Sequence, residues 1–162
     1  MHRLTLLACL ALMACAAPAV APQGGYRPAK APIYSSVQLD PARLAGDWRQ
    51  VAGFGAGNCA PGGVTISGQG ALQASYRLCL SGKDWTGGGA MQPAGPGRFV
   101  VAGRAWWVLW ADADYRTLAI GTPDGSFGFI LDRTGAISPD RLKAAREILE
   151  WNGYDLSRLT VY

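Results

Sequence analysis

Cys59 and Cys79 each stand ten residues from Gln69 in the stretch NCAPGGVTISGQGALQASYRLC. If the chain turns at Gln69, antiparallel partners have residue numbers that sum to 138, and the two thiols face each other. Opposed Cα atoms in such a ladder lie about 4.5–5.5 Å apart, inside the span a disulfide tolerates. The same register pairs Val64 with Ala74 and Ile66 with Leu72, with Tyr76, Leu78 and Leu80 following on that side. One face is then apolar and the thiols lie on the polar one. Redox chemistry would want a Cys-x-x-Cys spacing or a partner base, and the sequence has neither, so the pair reads as a staple contributing about 3 kcal/mol. Other reactive-looking groups are weaker. Asp112 and Asp114 in "DAD" resemble carboxylate metal ligands, yet carboxylates at a hairpin turn cap backbone amides and nothing else completes a metal shell. "GFGAGN" superficially matches a dinucleotide loop but leads into "CAPGG" and another strand rather than a helix.

The first twenty residues bear on what chemistry remains. His2 and Arg3 give a short positive start, Leu4 to Met13 an apolar run too short to span a bilayer, and small residues follow. "LMAC" resembles the lipobox of bacterial lipoproteins, which implies cleavage after residue 14 and acylation of Cys15. Ala16 after that cysteine then implies the outer membrane, with the domain facing the periplasm. Ordinary cleavage after an Ala-x-Ala-like site is the alternative. Either way His2, the sole histidine of the chain, is lost, and no imidazole is left for a triad, a proton shuttle or a metal site. With Cys9 removed and Cys15 acylated, Cys59 and Cys79 are the remaining thiols of an oxidising compartment, where a disulfide is the default. The reading is therefore not an enzyme, with no cofactor and no metal.

Composition sets the frame for these groups. The 162 residues suffice for one domain; 16% are charged, 49% hydrophobic, and 22 are glycine. Net charge is +4, or +3 without Arg3, and the cations are scattered singly (Arg77, Lys83, Arg98, Arg104, Arg116), which argues against nucleic acid. Residues 15–36 are Ala/Pro-rich without apolar period and read as a semi-extended tether, leaving 37–162 as the folded domain. Asp40 and Pro41 open a short helical turn. Then come eight strand-like runs, each closed by turn residues, from "DWRQVAGF" to "SFGFILDR"; the glycine triplet 87–89 suggests a bulged or weakly paired strand at a rim. "SPDRLKAAREILEWNG" is a helix capped by Ser138 and ended by Gly153, with Leu142, Ala145, Ile148 and Leu149 on one stripe. Ile130 is its candidate partner on the sheet. The expected architecture is all-β, an eight-stranded antiparallel up-and-down barrel with one C-terminal helix outside.

These residues resemble the lipocalin family, in particular the outer-membrane lipoprotein lipocalins of bacteria, over residue 37 to the end. Gly46-Asp47-Trp48 resembles the family's first motif, Asp114-Tyr115 the second, and "GTPDGSFGFILDRT", with Gly121, Pro123, Phe129 and Arg133, the third. Arg49 and Phe129 replace the aromatic and the tryptophan usual at their positions. The resemblance implies that Trp48 and Arg133 plug one end of the barrel by a cation–π contact of about 0.5–2 kcal/mol. It also implies a cup for a small hydrophobic ligand, a fatty acid or lysophospholipid, used in lipid storage, transport or envelope maintenance by a monomer or weak dimer.

Strand parity nominates Tyr76, Met91, Phe99, Trp106, Trp110, Phe127 and Phe129 as the lining, with Trp106 and Trp110 on a shared face. An acyl chain there would gain about 0.8 kcal/mol per buried CH₂. The competing expectation is that the strand tryptophans fill the interior and the protein acts through its surface or rim loops.

Overall fold

The computed structural model describes residues 25–162 apart from residue 56. The expected leader and the expected lipidation of Cys15 fall outside the described residues. A 3-10 turn, Pro41–Leu44, precedes strand β1 (Gly46–Phe54). There follow β2 (Gly63–Ser67), β3 (Gln73–Leu80), β4 (Lys83–Ala90), β5 (Gln92–Pro93), β6 (Arg98–Val101), β7 (Arg104–Ala111), β8 (Thr117–Gly121) and β9 (Gly128–Asp132). Helix α1 (Pro139–Trp151) and a short strand β10 (Leu159–Val161) complete the chain.

All pairings are antiparallel, in the order β4-β3-β2-β1-β9-β8-β7-β6-β5, with β10 added to β1. The result is a nearly closed barrel of nine strands, one more than the eight expected. The extra strand, β5, is a two-residue pairing beside Pro93 that is too short to leave a pattern in sequence. The seam falls between β4 and the β5–β6 edge, where no ladder forms. The glycine triplet does not bulge: β4 pairs with β3 without interruption from Gln73↔Ala90 to Leu80↔Lys83.

Two cores result from the alternation of strand faces. The inner one holds Trp48, Val64, Ile66, Leu78, Met91, Phe99, Trp106, Leu118, Ile120 and the phenylalanines 127 and 129. The outer one forms where α1 lays Ala145 and Leu149 on a patch that includes Ala119 and Ile130, the sheet partner expected from parity. Ser138 caps α1 through Arg141 N–H, and Gly153, at φ +84°, lets the chain leave through bonds to Glu150 and Leu149 carbonyls.

The hairpin of β2 and β3 has the expected faces but another register. Gly63 pairs with Arg77 and Val64 with Tyr76, a two-residue slip centred on Gly70 rather than Gln69. Gly68 (φ +108°) and Gly70 (φ +86°) both take left-handed backbone, and a Cβ on Gly68 would stand 2.1 Å from Ala71 O, so the tight turn belongs to Gly68–Ala71. Cys59 is bonded to Cys79 with a Cα–Cα distance of 5.5 Å. It does so from an irregular segment outside the ladder, since β2 begins only at Gly63 and Cys79 pairs with Asp84 on β4. Gln50 fills the gap. Its Nε2 donates to Cys79 O and its Oε1 accepts from Cys79 N–H, both at 2.8 Å, so a side-chain amide replaces the missing strand.

Residues 25–36 are not a free tether. Arg27 is 2% exposed and donates to the carbonyls of Asn152, Pro123, Ala31 and Pro32, while Tyr26 packs on Phe54. The folded part therefore includes residues 25–36, which the sequence assigned to the tether.

Candidate functional site

Up-and-down connections put alternate turns at opposite ends. The turns 68–72 and 112–116 lie at the end where β1 begins; those at 81–82, 102–103 and 122–127 lie at the other.

The first end is plugged. Arg133 Cζ sits 3.7 Å over the Trp48 ring, and the guanidinium donates to Ala45 O and Arg43 O (2.8 Å each) and to Tyr115 O (3.2 Å). Trp48 Nε1 donates to Leu44 O at 2.8 Å. Gly46 is required here: its φ is +114°, and a Cβ would stand 2.5 Å from Arg133 Nη1. Burial lowers the pKa of Arg133 against the opposing field of Asp47, but a guanidinium starts so high that it stays charged. Tyr115, at φ +55°, accepts Asp40 N–H on its hydroxyl and carries Arg43 over its ring. Asp112 caps the neighbouring turn through the N–H groups of Arg116 and Thr117, whereas Asp114, among the described residues, makes an exposed ion pair with Arg116 and no side-chain hydrogen bond.

The interior is apolar and aromatic. Tyr76, Met91, Phe99, Trp106, Phe127 and Phe129 all belong to or pack against the inner core, as parity requires. Trp106 stands 5.2 Å from Tyr76, 6.3 Å from Phe127 and 5.3 Å from Phe129, and Phe127 stacks on Phe129 at 6.1 Å. Gly87 is opposite Tyr76, and a Cβ there would lie 2.7 Å from the phenol oxygen, so this glycine gives the ring its place.

Trp110 is elsewhere. The pairing of β7 with β8 shifts between Val108 and Trp110, which breaks the two-residue period. Trp106 and Val108 face inward; Trp107, Leu109 and Trp110 pack in the outer core under α1. The expected shared face of Trp106 and Trp110 does not exist.

Trp85 was missing from the lining nominated by sequence. It packs edge-on to Phe127 at 5.6 Å and remains part-exposed. Its signal was readable: Trp85 pairs with Leu78, whose inward side the hairpin already fixes. At this second, open end, Arg104 Cζ lies 4.3 Å over the Trp85 ring. Beside it the turn 122–127 is held from several sides. Tyr154 OH accepts Thr122 N–H (2.7 Å) and donates to Phe127 O (2.8 Å), and burial raises its pKa so that it stays a neutral donor. Asp124 Oδ1 accepts from Thr122 Oγ1 and Ser126 N–H; burial alone would raise its pKa, but these bonds outweigh it and the carboxylate is favoured.

Comparison with known proteins agrees with this architecture. Residues 95–162 match the family model described as a lipocalin-like domain. A stretch of 54 residues is 39% identical to temperature-induced lipocalin-1 of Arabidopsis thaliana, covering 33% of this chain and 29% of the length of that protein. Insecticyanin from the tobacco hornworm Manduca sexta is similar in structure, with TM-score 0.61 at 17% identity over 85% of each chain. Lobster apocrustacyanin A1 gives TM-score 0.55 at 17% identity, over 81% of this chain and 88% of that one. A plugged, nearly closed antiparallel barrel with a helix on its flank, and a C-terminal part that matches the lipocalin-like model, give this chain the lipocalin fold.

Proposed function

We propose that this protein binds a small hydrophobic ligand, a fatty acid or lysophospholipid, in its barrel, as a lipoprotein lipocalin of the bacterial outer membrane anchored through Cys15. The observation that carries the reading is the inner wall. It is apolar throughout its buried cluster, and two aromatic rings packed against that cluster, Tyr76 and Trp85, are only partly covered. Full burial of those two rings would add apolar area, so their partial exposure leaves aromatic surface that a hydrophobic ligand could cover.

The tether fits the same reading. Gly25 enters the fold at the open end, where Tyr26 N–H donates to Gly125 O and Gly25 O accepts from Arg158. It lies ten positions after Cys15, a reach of at most about 35 Å, so an acylated Cys15 would keep the mouth close to the bilayer. Lipid storage, transport or envelope maintenance follows from that placement.

A second reading has an observation of its own. The rings of Tyr76, Trp106, Phe127 and Phe129 interlock at 5.2–6.3 Å and occupy much of the interior. On that reading the barrel is filled, and the protein acts by protein contacts at its surface or rim. Titration with a displaceable fluorescent fatty acid separates the two. Saturable, competable binding, together with lipid carried through gentle purification and seen by native mass spectrometry, supports the cup. Absence of both supports the filled barrel.

A further inference from the structure

We infer that the exposed aromatic pair Tyr34–Trp151 is a contact surface for a lipid bilayer, seated at the headgroup level of the membrane that holds Cys15. This rests on the reading that Cys15 is acylated, and it is independent of what fills the barrel. The two ring centroids stand 5.0 Å apart with the planes tilted by 31°. Although each ring covers part of the other, Tyr34 stays 52% and Trp151 67% exposed. The remaining tryptophans are buried or half-buried, so Trp151 is the one indole turned to the outside. The segment leading to Tyr34 adds Pro28, Ala29 and Pro32, all exposed.

The pair is held in place by its surroundings. Tyr34 N–H donates to Asn152 Oδ1 at 2.7 Å, and Asn152 Nδ2 donates to Ile148 O at 2.9 Å at the end of α1. Arg27 Nε donates to Asn152 O at 2.8 Å. A Cβ on Gly153 would meet Ala31 Cβ at 3.6 Å and Pro28 Cδ at 3.9 Å, so the segment lies against the helix end. Two rings fixed in this way have little freedom left to lose on settling into an interface.

What selects a bilayer as the occupant is where the chain joins the fold. Arg27 also donates to Pro123 O, Tyr154 OH accepts Thr122 N–H, and Tyr26 N–H donates to Gly125 O. These bonds tie the aromatic pair and Gly25 alike to the turn 122–127 at the open end. Gly25 lies ten positions after Cys15, a reach of at most about 35 Å, so the acylated residue and the two rings belong to one end of the barrel. Tyrosine and tryptophan join an apolar body to a hydroxyl or an N–H, which suits them to the boundary between acyl chains and water. Exposed charges in the two segments are of both signs, Lys30 in one and Glu150 in the other. The contact therefore depends on covering the rings rather than on attraction to anionic headgroups.

The test uses the full-length chain as cells process it, with acylation of Cys15 checked by mass. It is placed in vesicles of phosphatidylethanolamine and phosphatidylglycerol whose acyl chains are either brominated near the glycerol or not. The emission of Trp151 is the difference between wild type and Trp151→Phe. That emission is expected to fall at least about twofold in the brominated vesicles, with little dependence on salt. Tyr34→Ser, which removes the neighbouring ring, should weaken the quenching. Equal Trp151 emission in the two kinds of vesicle overturns the contact and leaves the anchor in place. A Trp151 emission that instead shifts with protein concentration in detergent assigns the rings to a second copy of the chain and overturns it as well. Should Trp151→Phe fail to fold, iodide reaching the wild-type indoles as readily in vesicles as in detergent counts against the contact, and protection counts for it. A processed chain without an acyl group on Cys15 overturns the anchor and the contact together.

Discussion

Both ends of the barrel lay a guanidinium on an indole, and the two pairs are built for different purposes. At the plugged end Arg133 is 3.7 Å from Trp48, tied to three backbone carbonyls, over an indole only 2% exposed. At the open end Arg104 is 4.3 Å from Trp85, exposed, and without a side-chain hydrogen bond among the described residues. The residue types are the same; what differs is whether the donors of the cation are already spent. A guanidinium whose donors are bonded to three backbone carbonyls ties segments of the fold together. One without such bonds contributes its stacking contact alone.

The largest effect should come from breaking the spent pair. Trp48→Ala removes a fully buried indole and its bond to Leu44 O, and is expected to cost about 3–5 kcal/mol in urea unfolding. Trp48→Phe keeps a ring under Arg133 and should recover most of that loss. A loss below 1 kcal/mol in Trp48→Ala would remove the plug from the account of stability.

Next in size is the staple. Replacing Cys59 and Cys79 with serine opens a link across 20 residues and should cost about 3 kcal/mol, read as a lower denaturation midpoint. Because Gln50 already ties Cys79 to β1 on both backbone groups, the loss should leave the inner core intact, with near-ultraviolet dichroism of the tryptophans unchanged. Loss of that signal would mean the segment 57–62 organises the barrel wall rather than merely lying over it.

Much of this was legible in the sequence, and the failures have local causes. The faces of β2 and β3 read correctly although the register was two residues off, because an even slip preserves parity. Helix α1 was read end to end, since Ser138 and Gly153 mark both termini chemically. Trp110 was misplaced because a register shift in β7 leaves no signature in an unbroken run of aromatic and aliphatic residues. Residues 25–36 were read as linker because their composition lacks apolar period; their order comes from Arg27 and four carbonyls, which no local pattern announces. The stack of Tyr34 on Trp151 joins distant segments, and only the fold brings the two rings to one place.

A smaller effect is expected at Asp132, near the plugged end but beneath α1. Its side chain is 0% exposed and accepts from Thr134, Thr117 and Arg141. Burial would raise its pKa, yet these bonds win and hold it below the usual carboxylate value. Stability from Asp132 is thus fully present above the unfolded value near 3.9 and is lost as pH falls through the lower folded value. Asp132→Asn should cost about 1–3 kcal/mol at pH 7, and the gap to wild type should narrow in unfolding curves at lower pH. A gap that widens on acidification would contradict the sign.

The smallest expected change sharpens the opening contrast most. An exposed cation–π contact is worth about 0.5–1 kcal/mol, so Arg104→Gln should move the unfolding midpoint by no more than that. The equivalent change at the other end, Arg133→Gln, orphans the carbonyls of Ala45, Arg43 and Tyr115 and should cost several-fold more. Measured side by side in urea, the two variants ask one question of two superficially equal pairs. If Arg104→Gln destabilises as much as Arg133→Gln, the open-end pair is a second plug, and the barrel is closed at both ends.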